Sequence, residues 1–427
     1  MHPKYFLVGA AVLFAQAFPA AAQLPAQQYT EAISSPLTLE QAIAKAVATN
    51  PILRAAAFDV AIADGIRRQA GILPNPEVSF LREGSQRGTR TQTLQFSQLI
   101  ELGGKRSARM RLADRERGLA TGKLSAARAD MRVDVTTAYF DALGAQERVR
   151  LAQTSLEVAA KAAIAAQKRV AAGRVSPVEQ DRAGVAQASA RLELAQAQGD
   201  LSIALHTLGA YWGETGPAAQ SLVVPELDLS PSPPLAELEQ RLDTSPQLRR
   251  ARLQLEREEA QVGLDRAQRM PDLTLIVGNK KDDEIGRSQT VLGVSVPLPL
   301  FNRNQGSLQA SLGRADKARA ELDAERLRLR LGLAGAYQRA QLSREQVRSM
   351  RDQILPAAQR VFDATVTGFE AGKFAFLDVV DAQRTLLQIR THYIQTLYDR
   401  YRAVAELGRY VDSDAAAGVN HTNRITP

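Results

Sequence analysis

The chain changes abruptly from a strand-like pattern to a helical one. In residues 91–102, TQTLQFSQLIEL, apolar residues such as Leu94 and Phe96 alternate with polar ones, so that one face of an extended strand is apolar. Gly103 and Gly104 follow, and a charged, alanine-bearing helical pattern begins directly after them. The pattern predicts a strand joined to a long helix across a pair of glycines.

The same order of patterns occurs twice. The strand-like LQFSQLIEL has a counterpart in VLGVSVPLPL, and the turn AAGRVSPVEQD has one in EAGKFAFLDVVD. Self-similarity over a long period indicates a repeat architecture, and we predict repeats over residues 23–212 and 236–411. The predicted strands cover about 75–84, 91–102, 271–280 and 288–300, each pair joined by a polar, glycine-bearing loop. Residues 213–235 are predicted to be a linker or a short layer packed on the helices, and 412–427 a disordered tail.

The remaining segments carry helical signals. Residues 38–71 follow the N-cap candidate Thr38, and residues 104–171 and 305–355 contain no proline. At about 1.5 Å per residue, some 60 helical residues extend over roughly 90 Å. Helices of this length predict an elongated bundle or tube, with a coiled-coil tether as the alternative.

Residues 1–22 have the features of a secretory signal peptide: a basic start at Lys4, the apolar run FLVGAAVLF and a small-residue cleavage site. A membrane anchor is the alternative, but the apolar run is shorter than the roughly 20 residues of a spanning helix. The sequence contains no cysteine, which excludes disulfides, thiolate metal sites and a lipid-bearing cysteine. The net charge of +8 comes from basic residues interleaved with acids, and with 5% aromatic residues we expect no nucleic-acid binding.

Four strands with one apolar face fit the wall of a membrane barrel. Four strands cannot close a barrel alone, because the smallest known barrels have about eight, and open edges cannot face lipid. We therefore predict that three chains share one barrel of about twelve strands. The alternative is a soluble protein whose sheet buries its apolar face against helices. The residues predicted to face lipid are Leu94, Phe96, Ile100, Leu292, Val294 and Leu298.

The crossing from strand to helix is predicted at Gly103, Gly104, Lys105 and Arg106. The basic residues here, together with Arg109, fall where the chain would leave the membrane. We expect them to contact lipid headgroups or acidic neighbours.

Over nearly all of its length after the signal, the chain resembles the outer membrane efflux proteins related to TolC. The resemblance rests on the duplicated helix-strand-strand-helix-helix order and on LPNPEVSF, FSQLIELGGKRSAR, VPLPLFNRNQG and EAGKFAFLDVVDAQ. QLIELGGKR together with PLPLFNRN is most similar to the heavy-metal, CzcC-like branch. The resemblance implies a mainly α fold with a membrane β-barrel part: a homotrimer with four strands per chain in a twelve-stranded barrel and a long periplasmic α-helical barrel.

The resemblance also implies a function and partners. The chain would be the passive outer membrane duct of a tripartite RND efflux system, would work with a periplasmic adaptor and an inner-membrane RND pump, and would need no cofactor. The CzcC-like branch implies export of divalent heavy-metal cations. The alternatives are a duct for drug efflux or type I protein secretion, and a soluble periplasmic helical scaffold.

In the family, the turns between paired helices form a periplasmic aperture lined by acids. These correspond to Asp378 and Asp381, with Glu179 in the first repeat, and rings of carboxylates favour cations. The alternative is that the aspartates stabilise the first turn of a helix. Where some relatives close the tip with tyrosine and arginine, this chain has Phe369 and Phe374, which form no salt bridge, so we predict apolar packing of the tip.

The sequence lacks a catalytic or metal-binding signature. His206, His392 and His421 show none of the paired spacing typical of metal ligands, and we predict that His206 is packed or at the surface. The GGK of LGGKRS lacks the upstream glycine of a phosphate-binding loop. With no triad or carboxylate dyad in view, we expect no enzymatic activity.

Overall fold

The computed structural model describes residues 36–84, 90–173, 175–219, 221–225, 229–371, 373–374 and 376–410. The predicted signal peptide and tail lie outside these residues. The first repeat contains α1 (Leu39–Thr49), α2 (Pro51–Ala70), β1 (Glu77–Glu83), β2 (Thr91–Ile100), α3 (Lys105–Ala171) and α4 (Pro177–Ala210). The second contains α5 (Leu235–Leu242), α6 (Pro246–Ala267), β3 (Leu273–Asp282), β4 (Arg287–Ser295), α7 (Gln305–Ser349), a π-turn (Met350–Ile354), α8 (Leu355–Glu370) and α9 (Phe376–Tyr410).

The single helix predicted over residues 38–71 is two helices, and that prediction was wrong at Asn50. The Asn50 side chain caps α2 by accepting from the backbone N–H of Ile52 at 2.8 Å, and Pro51 occupies the first turn. Asn50 also donates through Nδ2 to the carbonyl of Tyr211 at 2.6 Å. The two helices meet at 43°. Asn-Pro ends one helix and begins the next, and the periodicity of apolar residues alone does not reveal this.

The four strands form one antiparallel sheet in the order β1-β2-β3-β4. The register places Phe96 opposite both Val78 and Val277, and Val277 opposite Leu292. Residues directly opposite each other point to the same face, so these four make an apolar row across the whole sheet.

Three of the four strands are shorter than predicted, and β3 has the predicted length but begins and ends two residues later. β2 ends at Ile100, and β4 ends at Ser295 instead of near residue 300. Pro297 and Pro299 carry no backbone N–H and cannot continue a ladder of hydrogen bonds. Leu298, predicted as part of the strand face, therefore lies beyond the end of β4.

The helices form a long body with its packed core midway. α3 has 67 residues, and α4 and α9, with 34 and 35, fold back along about half of that length. A core cluster includes Tyr139, Leu143, Leu208 and Trp212. The segment after α4 packs on this core through Leu222, whose N–H donates to Gln146 at 2.8 Å. The part of residues 213–235 that the structure describes is thus partly a packed layer.

A tyrosine hydroxyl ties this layer to α3. The Tyr139 Oη lies 2.6 Å from the carbonyl oxygen of Val223 and 2.8 Å from that of Leu37. Burial raises the pKa of Tyr139 to about 12 and outweighs the hydrogen bond to Val223, which acts in the opposite direction.

A π-turn interrupts the second long helical run. The N–H of Leu355 donates to the carbonyl of Met350, five residues earlier. Pro356 follows directly and has no N–H for the carbonyl of Asp352. The wider turn accommodates the proline without a break in the helical run.

Among the described residues, no helix taken singly has the length and hydropathy needed to cross a membrane; α1 and α2 satisfy both criteria only as a bent pair.

Candidate functional site

The apolar face of the sheet is uncovered. Leu94 and Leu292 on this face are 54% and 76% exposed, whereas Thr93 on the opposite face is 7% exposed. Within the described ranges, no helix packs extensively against the sheet. A soluble sheet would bury its apolar face, and the burial that this alternative requires is not seen here. Ile100, Phe96 and Val294 lie on the same exposed face.

The first junction, residues 101–104, connects β2 to α3 through two glycines with positive φ. Gly103 and Gly104 have φ of 66° and 70°. A Cβ added to Gly103 would lie 2.6 Å from the Cβ of Met270, which follows α6. Both the backbone conformation and this contact require glycine at position 103.

Ion pairs surround the first junction. Lys105 Nζ lies 2.7 Å from Asp272 Oδ1, and Asp272 also accepts from the N–H of Leu102 at 3.1 Å. Arg109 forms a two-bond pair with Glu101, whose side chain is 10% exposed. Of the two expected partners, headgroups or acidic neighbours, Lys105 and Arg109 have acidic neighbours in their own chain. Sequence reasoning missed Asp272, for which the acid directly before β3 in MPDLTL was the available signal.

Arg106 makes a different contact at this junction. Its Nε donates to the carbonyl of Gly71 at 2.8 Å, just after the end of α2. The contact satisfies a carbonyl at a helix C-terminus and holds α2 against the start of α3.

The second junction, residues 296–304, connects β4 to α7 and is built differently. Asn304 has φ of 56° and donates through Nδ2 to the carbonyl of Asp265 at 3.0 Å and to Gln268 Oε1 at 3.1 Å. These bonds fix the start of α7 against the end of α6. The apolar side chains before it are open, and Phe301 is 91% exposed.

The turn from α3 to α4 contains the first candidate aperture acid. Gly173 has φ of 68°, and the Ser176 hydroxyl accepts from the N–H of Val178 at 3.4 Å to cap α4. Pro177 and Glu179 lie in the first turn, where a carboxylate is stabilised by the helix dipole. α3 places this turn about 100 Å from the sheet.

Asp378 and Asp381 lie in α9, just after the turn from α8. Asp378 lies in the first turn of α9, and Asp381 follows one turn later. Asp381 pairs with Arg384 at 3.3 Å, and both side chains are more than 70% exposed. The ring of Phe374 lies directly over Gly368 of α8. The side chain of Phe369 is outside the described part of the chain, and its predicted packing stays a prediction.

The structure describes His206 and His392, and neither belongs to a group of possible metal ligands among the described residues. Nδ1 of His206 lies 2.7 Å from the carbonyl oxygen of Ser202 one turn earlier, and His421 is outside the described residues. Within the described residues, no three His, Asp or Glu side chains are grouped so that they could hold a metal ion.

Comparison with known proteins identifies the family. The outer membrane efflux protein family matches residues 42–214 and 238–411. The cobalt-zinc-cadmium resistance protein CzcC of Cupriavidus metallidurans is 44% identical over 380 residues, which cover 88% of this chain and 90% of CzcC. The nickel-cobalt-cadmium resistance protein NccC of Alcaligenes xylosoxydans is 28% identical over 307 residues, covering 70% of this chain and 68% of NccC.

The fold is shared with a solved outer membrane protein. The outer membrane protein VceC of Vibrio cholerae superposes with a TM-score of 0.72 at 23% identity, covering 87% of this chain and 95% of VceC. The resemblance seen in the sequence and the mainly α fold with a four-stranded sheet are confirmed. The chain belongs to the outer membrane efflux protein family.

Proposed function

We propose that the chain is the outer membrane duct of a tripartite efflux system that exports divalent heavy-metal cations. The observation that carries the proposal is the 44% identity to CzcC, a protein named for resistance to cobalt, zinc and cadmium, over 90% of CzcC. An identity that extends over both repeats favours a duct of the same kind, with a related cargo.

The duct is proposed to be a homotrimer. β1 and β4 are the edges of the sheet, and each edge presents backbone groups that need a partner strand. If β4 of one chain pairs with β1 of the next, three copies close a twelve-stranded barrel whose apolar face meets lipid. A passive duct has no chemistry of its own, so a periplasmic adaptor and an inner-membrane RND pump supply the energy.

The cation preference is proposed to arise at the tip. Threefold symmetry would turn Asp378, Asp381 and Glu179 into rings of carboxylates, which attract cations. The pair between Asp381 and Arg384 is highly exposed, and exposed pairs contribute little stability. Asp381 can therefore exchange Arg384 for a passing cation at little cost.

The cargo is tested in a strain that lacks this chain. Loss of the chain should raise cell-associated cobalt, zinc and cadmium and lower the metal concentration that stops growth, and expression of the chain should restore both. A drug and a type I secretion substrate serve as controls. Restored drug efflux or secretion without restored metal export would contradict a metal cargo.

The tip is tested by Asp381→Asn in planar bilayers, with Asp316→Asn on α7 as the matched control, since Asp316 is also exposed and paired with an arginine three residues away. We expect the tip variant to lose cation selectivity and block by multivalent cations, and the control to retain both. Equal behaviour of the two variants would refute the role of Asp381.

A further inference from the structure

The second junction carries an apolar surface that the sheet does not explain. Residues 296–301, VPLPLF, are called the apolar collar, and its large side chains are all exposed: Val296, Leu298, Leu300 and Phe301, the last two 64% and 91%. These residues follow β4 in the chain, at the end of the sheet from which the long helices start. Exposure of this extent in consecutive apolar residues marks a surface made for an apolar partner.

The collar continues the apolar face of the sheet. Leu292 and Val294 occupy that face on β4, and the exposed Val296 and Leu298 come directly after the strand. The apolar surface therefore extends past the last strand residue, Ser295, towards the helices.

Part of the collar backbone is hydrogen-bonded within the chain. Pro297 and Pro299 have no N–H, and the N–H of Leu300 donates to the carbonyl of Leu298 at 2.9 Å. The carbonyl of Pro299 accepts from Arg303 Nε at 3.1 Å, and that of Phe301 from Gln305 Nε2 at 3.2 Å. The carbonyls of Leu298, Pro299 and Phe301 therefore have donors within the chain, which lowers the cost of placing this segment at the edge of a membrane.

A row of arginines borders the collar. Arg303 follows it, Arg266 lies in the last turn of α6, and Arg269 lies two residues after that helix, which Asn304 joins to the start of α7. All three side chains are exposed and form no salt bridge with any residue that the structure describes. This differs from the first junction, where Lys105 and Arg109 are paired with acids.

We propose that the apolar collar and this arginine row seat the chain on the periplasmic leaflet of the outer membrane, with Phe301 among the acyl chains and the arginines at anionic phosphate headgroups. Apolar side chains beside exposed arginines match the boundary between acyl chains and headgroups. The inference rests on the proposed function, since it needs the sheet to lie in the membrane. It adds that the boundary of the bilayer lies at the second junction, below the strands.

The test uses single-cysteine variants, because the chain has no cysteine of its own. Phe301→Cys probes the collar, Leu292→Cys the sheet face, and Leu331→Cys, at a 67% exposed site within α7, the helical body. Each variant is labelled with a fluorophore and reconstituted in vesicles of phosphatidylethanolamine and phosphatidylglycerol that contain nitroxide-labelled lipid. We expect loss of fluorescence at positions 292 and 301 and none at 331.

The outcomes separate the two proposals. Quenching at position 292 without quenching at 301 would overturn the collar and leave the membrane sheet standing. No quenching at either position would overturn both. A label at 301 that is shielded from lipid nitroxide and from aqueous iodide alike would show that a neighbouring copy of the chain covers the collar, and would overturn the proposal.

The headgroup contact has its own test. In the Phe301→Cys protein, nitroxide on the headgroup of phosphatidylglycerol should quench more than nitroxide on phosphatidylcholine, because arginines concentrate the anionic lipid. Replacing Arg266, Arg269 and Arg303 by Gln should abolish this difference. The same charge change at the exposed Arg330, Arg348 and Arg360 should preserve it. Equal quenching by the two lipids in the parent protein would refute the arginine contact.

Discussion

The two junctions occupy equivalent places in the two repeats and connect a strand to a long helix in different ways. The first turns within residues 101–104, uses two glycines and is surrounded by ion pairs. The second takes residues 296–304, contains two prolines and exposes its apolar side chains. The charged side chains of the first junction contact other residues of their own chain, whereas the apolar side chains of the second junction are exposed.

The difference shows how a repeat can divide structural tasks. At the first junction, Met270 and Asp272 from the second repeat contact Gly103, Lys105 and Leu102 of the first. This junction therefore fixes the two repeats to each other. The second junction makes fewer contacts of that kind and leaves a surface for the surroundings.

The largest expected effect is that of Gly103→Ala. A Cβ would require strained backbone at φ of 66° and would collide with Met270, which together cost about 2–4 kcal/mol. Thermal unfolding of the purified protein in detergent measures the loss. Gly306→Ala at the start of α7 is the matched control, since a Cβ there meets nothing within 4 Å. An equal loss of stability in both variants would mean that the first junction is no more closely packed than the start of α7.

Arg109→Met should have the next largest effect. It leaves the Glu101 carboxylate, with a side chain 10% exposed, without its two-bond partner, at a cost of about 1–3 kcal/mol. Adding Glu101→Gln should recover part of that loss, which a double-mutant cycle measures. Arg303→Met at the second junction should be close to neutral in detergent, and a comparable loss there would remove the contrast between the junctions.

Asp272→Asn separates the ion pair of the first junction from its hydrogen bond. The amide keeps an acceptor for the N–H of Leu102 but loses the attraction to Lys105, which we expect to cost about 1 kcal/mol. Asp272→Ala should cost roughly that amount again, because it also removes the acceptor. Chemical denaturation of the two variants side by side gives both values. If Asn and Ala are equally destabilising, the hydrogen bond to Leu102 contributes nothing.

The smallest effects are expected at the prolines of the second junction. Pro297→Ala and Pro299→Ala should each destabilise by about 0.4–1 kcal/mol, because they add conformational freedom to the unfolded chain. The fluorescence of a label at position 301 should still be quenched by lipid. A much larger loss of stability would show that the prolines hold a specific native contact.

Alternation and repetition were sufficient to predict the exposed face of the sheet. Leu94, Phe96, Leu292 and Val294 share that face because side chains alternate along a strand, and this follows from residue order alone. Leu298 was assigned to the strand because alternation continues past Pro297, although proline ends the ladder. The break at Asn50 was missed because a helix cap involves a single residue. Unlike an apolar stripe, it leaves no periodic pattern in the sequence.

The contacts of the first junction were beyond the reach of sequence patterns. Arg109 and Glu101 are eight residues apart, so their pairing follows once the helix start is known. Asp272 lies 170 residues from Leu102, and its position directly before β3 marks it as a candidate without indicating its partner. Only the folded sheet, with β3 beside β2, brings them together.

The π-turn Met350–Ile354 sets the rotational phase of everything beyond it. In an α-helix one residue corresponds to about 100° of rotation, so adding or removing one residue in this turn would direct the side chains of α8 to different neighbours. The tip residues Phe374 and Asp381 lie beyond this point. Their angular position about the long axis is therefore determined before α8 begins, 16 helical residues ahead of the turn into α9.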